Sequence, residues 1–216
     1  MERLVCILVS YLIGTINPSF ILAKKRGFDI RTDGSRNAGA SNAFITMGSY
    51  VGAFCAVFDV FKAYFVYRLA ECTFTDLPYA GMVAGVCCIL GHIFPVWMGF
   101  RGGKGFACLS GVVLAYDPGV FFFLLVAEAV LVAVIDYICV VPMTVSVAFP
   151  IIQIIKTGAV LGALVFLPAT IAILYRHLEN IKRIRLGVEA HFSYIWRRED
   201  EKERLQKNYD EHKSEI

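Results

Sequence analysis

The chain has 216 residues, 57% of them hydrophobic and 18% charged, with a formal net charge of +3 and a mean hydropathy of +0.63. Its charges are few between Tyr50 and Leu174 and dense at both ends, which excludes an ordinary soluble domain and points to an all-α, polytopic integral membrane protein. No basic stripe of the kind that binds nucleic acid is present, and seven scattered cysteines with no CxxC pair and no Cys/His spacing argue against disulfides and zinc.

Residues 4–23 form a first span, apolar apart from Ser10, Thr15, Asn17 and Ser19. It lacks a basic stretch and a small-residue cleavage site, so it reads as a span and not as a removed signal. Asn17-Pro18-Ser19 disturbs a helix at membrane depth. Such a break is either buried in protein or a simple proline kink, and the residues leave both open. In the loop 24–42, Lys24, Lys25 and Arg26 read as a positive anchor at the membrane surface. The run Gly34-Ser35-Arg36-Asn37-Ala38-Gly39-Ala40-Ser41-Asn42 is rich in hydroxyls, amides and glycines. It suits an oxygen-rich substrate, or else a turn in which Ser41 or Asn42 caps the next helix.

A second span, 43–69, carries Asp59 and Lys62 three residues apart on one face, which predicts a structural ion pair, with substrate contact as the alternative. A third span, 79–99, ends soon after His92, expected to be a buried, hydrogen-bonded histidine, with orienting the following loop or capping the span as the alternatives. The turn Gly99-Phe100-Arg101-Gly102-Gly103-Lys104-Gly105 follows. Its glycines permit close backbone approach, successive N–H groups can form an anion nest, and a helix starting near Lys104 adds its positive end. With Arg101 and Lys104 this predicts a phosphate cradle; a basic turn set only by charge bias is the alternative. It is not a Walker A loop, because the GxxxxGK[ST] spacing is missing.

The fourth segment, 106–116, is shorter than a full span needs. Asp117-Pro118-Gly119 reads as a tight turn. The fifth span, 120–135, has Glu128 at mid-depth; the sixth, 137–155, contains Pro142 and Pro150; the seventh is 159–175. Beyond it, His177 and Asn180 share one face of a helix leaving the membrane, and Arg176 and Arg183 also share a face. A basic juxtamembrane helix drawn to anionic lipid is the alternative. Residues 193–216 mix both signs of charge and read as a solvated tail on a single membrane domain, 1–192.

With about seven spans, 24–42, 100–105 and the tail from 176 fall on one side and hold most of the Lys and Arg. The positive-inside rule puts that side and the C-terminus in the cytoplasm and the N-terminus outside. All three polar stretches then share one face. A phosphate site, a lysine, a serine, amides and a histidine beside greasy spans fit acyl transfer or headgroup transfer. The latter usually needs clustered carboxylates for Mg²⁺. Asp29 and Asp33 share a loop, but no Asp-rich metal motif is present, so acyl transfer is favoured.

Several short motifs run in order along nearly the whole chain: Gly14-Thr15-Ile16-Asn17-Pro18-Ser19, Asp29-Ile30-Arg31, Gly34-Ser35-x-Asn37-x-Gly39-Ala40-x-Asn42 and Asp59-x-x-Lys62. After them come Gly91-His92-x-Phe94-Pro95, Phe100-Arg101-Gly102-Gly103-Lys104-Gly105, Arg176-His177-x-Glu179-Asn180-Ile181-x-Arg183 and Gly187-x-Glu189. In these the chain resembles the bacterial acyl-phosphate-dependent glycerol-3-phosphate acyltransferases, the PlsY family. The resemblance implies seven spans in the cell (inner) membrane with the site facing the cytoplasm. It implies acyl transfer from acyl phosphate to the 1-hydroxyl of glycerol 3-phosphate, giving lysophosphatidic acid and phosphate in the first step of phospholipid synthesis. No cofactor, metal or nucleic acid is implied; the partners are the two substrates and membrane lipid. By this resemblance Ser35, Lys104, His177 and Asn180 are catalytic. Arg36, Asn37, Asn42, Arg101, Gly102, Gly103 and Gly105 bind substrate or phosphate.

The chain departs from the family pattern in places. Arg36 stands at a usual glycine, Ile45 at a usual arginine, Ala63 at a glycine and Cys108 at a threonine, and Pro142 lies in the stretch opening the sixth span. Isoleucine cannot replace a guanidinium at a phosphate site, unless Arg36 supplies the charge. Two readings stay open: an active acyltransferase, and a catalytically degenerate relative that binds lipid phosphate or supports a membrane partner.

Overall fold

In a computed structural model, residues 1–195 and 198–212 are described, and every regular element among them is helical. Among the described residues, five helices are long and apolar enough to cross a membrane, and six if a bent N-terminal pair counts as one span.

That pair is α1 (Glu2–Gly14) and α2 (Pro18–Lys25), bent by 42°. The break is buried in protein. Asn17 is 2% exposed; its side chain accepts from the Phe20 amide at 2.9 Å and donates to the Ala38 carbonyl at 2.8 Å. Pro18 takes the first helical position, where its missing N–H costs nothing. Lys62 Nζ donates to the Gly14 and Ile16 carbonyls at 3.1 and 2.6 Å. A buried ammonium thus satisfies acceptors that the interrupted helix leaves open.

The expected second span divides. α3 (Ala40–Met47) and α4 (Ser49–Thr73) meet at Gly48, whose φ of +99° no ordinary side chain tolerates. The crossing segment begins at Ser49, and 43–47 belongs to a short helix folded back on α4. α5 (Ala80–Ile93) packs on α1 at backbone contact: a Cβ at Gly14 would stand 2.3 Å from the Cys88 carbonyl oxygen, and one at Gly91 2.2 Å from that of Tyr11. Small residues at such crossings let helices approach without a side-chain layer.

After a 3₁₀ turn at Val96–Met98, α6 (Phe106–Tyr116) follows with Gly105 as its N-cap. α6 is short because it is interior: Cys108, Leu109, Val112 and Val113 are essentially inaccessible. Its Gly111 lies against the Val60 carbonyl and Ala63, which is how α4 accommodates Ala63. α7 (Pro118–Ile135) follows at once. The expected tight turn at Asp117-Pro118-Gly119 is instead a helix start, with Asp117 accepting from the Gly119 and Val120 amides.

Phe122, Phe123, Val126, Val130 and Val134 cover the exposed side of α7, the surface a bilayer would solvate. Its Glu128 accepts from the Thr144 hydroxyl of α8 (Val140–Thr157) at 2.8 Å. Pro142 occupies the first turn of α8 and Pro150 its interior, and neither ends the helix. α9 (Val160–Arg185) has 26 residues, about 39 Å at 1.5 Å per residue, more than a bilayer core requires. The expected seventh span and the helix leaving the membrane are one element. The tail forms α10 (Arg198–Glu211). It is not simply solvated, since Arg204 and Asn208 are bonded to the 187–189 turn.

Candidate active site

A cleft of about 460 Å³ opens where the loop before α3, the start of α6 and the C-terminal end of α9 converge. Ser35, Asn37, Lys104, Gly105, His177 and Asn180 all line it. Three stretches separated by some 70 residues in sequence meet at one place.

The first loop is stiff. Arg31 grips the Asp29 carboxylate with two bonds, 3.0 and 2.8 Å, and donates to the Met98 carbonyl at 2.6 Å. That guanidinium holds the Asp29 carboxyl well below the usual carboxylate range. Asn42 braces the loop from below: its amide donates to the Ile30 and Asp33 carbonyls, and its oxygen accepts from the Ser35 amide at 2.8 Å. It is wholly buried and does not line the cleft. Ser35 and Asn37 face the cleft above it. The Asn37 Oδ1 is buried with no hydrogen-bond partner, a polar atom placed for a ligand.

The glycine turn works differently from an anion nest. The Gly102 and Gly103 amides donate to the Ile93 and His92 carbonyls at 3.0 and 3.1 Å, so they are already engaged. Both glycines serve close approach: a Cβ on Gly103 would stand 2.1 Å from His92 Nε2, and one on Gly102 2.1 Å from the His92 carbonyl oxygen. The available amides lie one step later. α6 begins at Gly105 with no side-chain cap, and Gly105, Phe106 and Ala107 line the cleft. Its first N–H groups and positive end face the space beside Lys104.

The Lys104 ammonium donates to Asn180 Oδ1, and Asn180 Nδ2 donates to Glu189 Oε1 at 2.7 Å. Burial pushes the Lys104 amine below its ordinary range; Glu179 and Glu189 oppose the shift, and Arg183 and Arg176 add to it. His177, 2% exposed, lies 2.7 Å from the Ile173 carbonyl through Nδ1. A carbonyl accepts only, so Nδ1 carries the proton and Nε2 of the neutral ring is an acceptor. Cys139 also lines the cleft, but burial and Glu189 push its thiol up to about 12, so it is no thiolate nucleophile.

Arg36 and Arg101 are exposed and do not line the cleft; Arg36 takes a left-handed φ of +58°. Ile45 does line it, 65% exposed, so the first loop brings no guanidinium there. Sequence reasoning missed Arg183 and Glu189 as cleft residues. Arg183 pairs with Glu179 at 2.6 Å. Four-residue spacing signalled that pair, but not which way it faces.

Among the described residues, one buried cluster has metal-ligand chemistry. Ligand atoms of Asp59, His92 and Cys108 lie within 4.8 Å of one another. Lys62 Nζ stands among them, 2.6 Å from the Asp59 carboxylate and 3.2 Å from His92 Nδ1. An ammonium fills the cation's place, so the cluster reads as a structural knot at the floor of the cleft, which Asp59 and His92 help to line. Cys108, where the resemblance leads one to expect a threonine, belongs to this knot.

The sequence model described as "Glycerol-3-phosphate acyltransferase" matches residues 4–187. A glycerol-3-phosphate acyltransferase of Clostridioides difficile is 37% identical over 187 residues, covering 84% of this chain and 91% of the relative. One of Lactiplantibacillus plantarum is 34% identical over 206 residues, covering 92% and 97%. The crystal structure of PlsY, an integral membrane glycerol 3-phosphate acyltransferase, in its glycerol 3-phosphate form superposes with a TM-score of 0.82. It shares 29% identity and covers 90% of this chain and 98% of that one. The lysophosphatidic acid form gives a TM-score of 0.76 at 28% identity, covering 88% and 95%. By sequence along most of its length, and by the fold that carries the cleft, the chain belongs to the glycerol-3-phosphate acyltransferase family.

Proposed function

We propose that the chain transfers an acyl group from acyl phosphate to the 1-hydroxyl of glycerol 3-phosphate, releasing inorganic phosphate and forming lysophosphatidic acid. The observation that carries this reading is Lys104: a partly buried ammonium at the meeting point of three polar stretches, beside uncapped helix amides. PlsY, which shares this fold, has been seen in glycerol 3-phosphate and lysophosphatidic acid forms.

In this mechanism the acyl phosphate lies with its phosphate toward Lys104 and the first turn of α6. Both stabilise negative charge that grows on the leaving phosphate. Ser35 and Asn37 hold the acceptor, and Arg183 supplies a guanidinium to its phosphate. The apolar wall of Val60, Phe106 and Ile138 takes the start of the acyl chain. The acceptor hydroxyl attacks the acyl carbonyl, the bond to phosphate oxygen breaks, and the hydroxyl proton passes to departing phosphate or to His177 Nε2. Acyl phosphate is already activated, so orientation supplies much of the rate. Arg101, Gly102 and Gly103 support the turn rather than touch phosphate.

The same reading places seven crossings in the inner membrane, counting α6 as the short one. The N-terminus lies outside, and the cleft and C-terminus face the cytoplasm. Tag accessibility that put the 99–105 turn and the His177 end of α9 on opposite sides would overturn it. The activity test is a membrane assay with acyl phosphate and labelled glycerol 3-phosphate, with Lys104→Ala as control. Product above the control is expected. Its absence in well-folded protein would favour the second reading, a lipid-phosphate binder without turnover, to which the apolar Ile45 at the cleft mouth already points.

A further inference from the structure

The family match ends at residue 187, and α10 lies beyond it. Two of its side chains nevertheless reach the frame of the cleft. Arg204 donates from Nη1 to the Gly187 carbonyl at 2.6 Å and from Nη2 to the Glu189 carbonyl at 2.8 Å. Asn208 Nδ2 donates to the Gly187 carbonyl at 2.8 Å. Gly187 has φ +68°, and a Cβ there would stand 2.6 Å from Asn208 Nδ2, so the contact is made at backbone level.

The segment is held on its other sides as well. The Val188 and Glu189 amides donate to the Arg183 carbonyl at 2.9 and 3.2 Å. Downstream, the Ser193 amide and hydroxyl both donate to the Asp136 carboxylate at 2.7 Å. Glu189 therefore sits on a backbone fixed at both ends, with α10 closing the open side. Its Oε1 accepts from Asn180 Nδ2. That bond decides which way the Asn180 amide faces, because the amide offers donors on one side and an acceptor on the other. With Nδ2 on Glu189, Oδ1 meets the Lys104 ammonium. A flipped amide would present its donors to a cation.

We propose that α10 is a clamp on the cleft: Arg204 and Asn208 are positioning residues that hold the 187–189 turn, so that Glu189 orients Asn180 and Asn180 places the Lys104 ammonium. Its consequence for turnover rests on the acyl-transfer reading; the mechanical link does not.

The test uses the full chain in its membrane, with Arg204→Ala/Asn208→Ala and, separately, Arg204→Lys. The first readout is the rate at which a water-soluble acylating reagent labels Lys104 across pH, followed by peptide mass spectrometry. The charged or titratable groups facing Lys104 are Glu179, Arg176, Arg183 and His177 on α9, Glu189 on the turn, and Cys139 at the start of α8. The second readout is kcat and KM for glycerol 3-phosphate.

The double variant is expected to label Lys104 several-fold faster. Its kcat should fall about ten- to a hundredfold while KM stays within about twofold. Arg204→Lys should recover part of both, because an ammonium replaces one guanidinium bond but not the fork. A folded double variant with unchanged Lys104 labelling overturns the clamp. If the unsubstituted chain shows no turnover, labelling alone decides the clamp, and only the acyl-transfer reading falls. If the double variant does not fold, Asn208→Ala alone is judged by labelling in the same way.

Discussion

The knot at the floor of the cleft and the rim around it use the same kinds of side chain and differ in how far each is satisfied. In the knot, Lys62 has a carboxylate oxygen at 2.6 Å, His92 at 3.2 Å and two backbone carbonyls. The three ammonium hydrogens face four acceptors, so Lys62 has none left over for a ligand. At the rim, among the described residues, the Lys104 ammonium bonds only Asn180, Asn37 Oδ1 has no partner, and His177 Nε2 is unengaged. A saturated buried charge holds helices together; an unsaturated one is placed to meet something. Residue type alone does not distinguish the two lysines.

The contrast is most severely tested by removing each lysine. Lys62→Ala leaves two helix-end carbonyls without a partner and the buried Asp59 carboxylate with His92 alone, 3.4 Å away, at a cost of about 3–5 kcal/mol. Thermal unfolding in detergent should show little or no folded protein. Pairing Lys62→Met with Asp59→Leu removes both charges and should restore part of that stability, the carbonyls remaining unmatched. Lys104→Ala should keep its melting temperature within a few degrees and lose about a hundred- to a thousandfold in kcat, the scale of one transition-state donor. A Lys62→Ala protein that melts normally and loses only turnover would put the working charge in the knot.

How far the sequence reached is plain from these two lysines. The Asp59–Lys62 pair was legible because three-residue spacing on a helix puts both on one face. Also legible were the short 106–116 segment and the meeting of 34–42, 99–105 and 176–183. What Lys62 does for the Asn17 break was not legible, because it joins helices 46 residues apart through backbone atoms that carry no residue signature. The nest at Gly102 and Gly103 was expected from glycine content, yet their amides face His92 and Ile93. Glycine reports that the backbone comes close to something, without saying whether that is a ligand or another strand of protein. Residues 43–47 read as part of the second span because apolar residues run on through Gly48, and only its positive φ reveals the division.

A smaller effect sharpens the rim side of the contrast. Ile45 lines the cleft with an apolar side chain where the first loop has no cation of its own. Ile45→Arg should add a charge-assisted bond to the acceptor phosphate, worth about 1.5–3 kcal/mol at best. Under the acyl-transfer reading, KM for glycerol 3-phosphate should fall about tenfold, with kcat little changed. If turnover is absent in the natural chain and appears in Ile45→Arg, the degenerate reading gains. If neither parameter moves, Arg183 already serves that phosphate and Ile45 only shapes the mouth.

The smallest expected effect is a shift in pH profile, and it bears most directly on which charge does the work. Burial depresses the Lys104 amine, and the useful species is the ammonium. Activity should therefore be full below that depressed value and decline as pH rises through it, at a lower pH than a solvated lysine would give. Glu189 raises the amine against burial. Glu189→Gln removes that negative charge but keeps an oxygen for Asn180, so the alkaline limb should move to lower pH with Lys104 still in place. Arg183→Gln removes a like charge and should move the limb the other way, alongside a weaker hold on the acceptor. The two opposed shifts, read from kcat against pH, separate an electrostatic effect on Lys104 from a general loosening of the cleft, which would move both variants in one direction. A limb that stays put in Glu189→Gln, with the Asn180 contact intact, would take Lys104 out of the charge that limits the rate. The difference between an open rim and a closed knot would then no longer mark function.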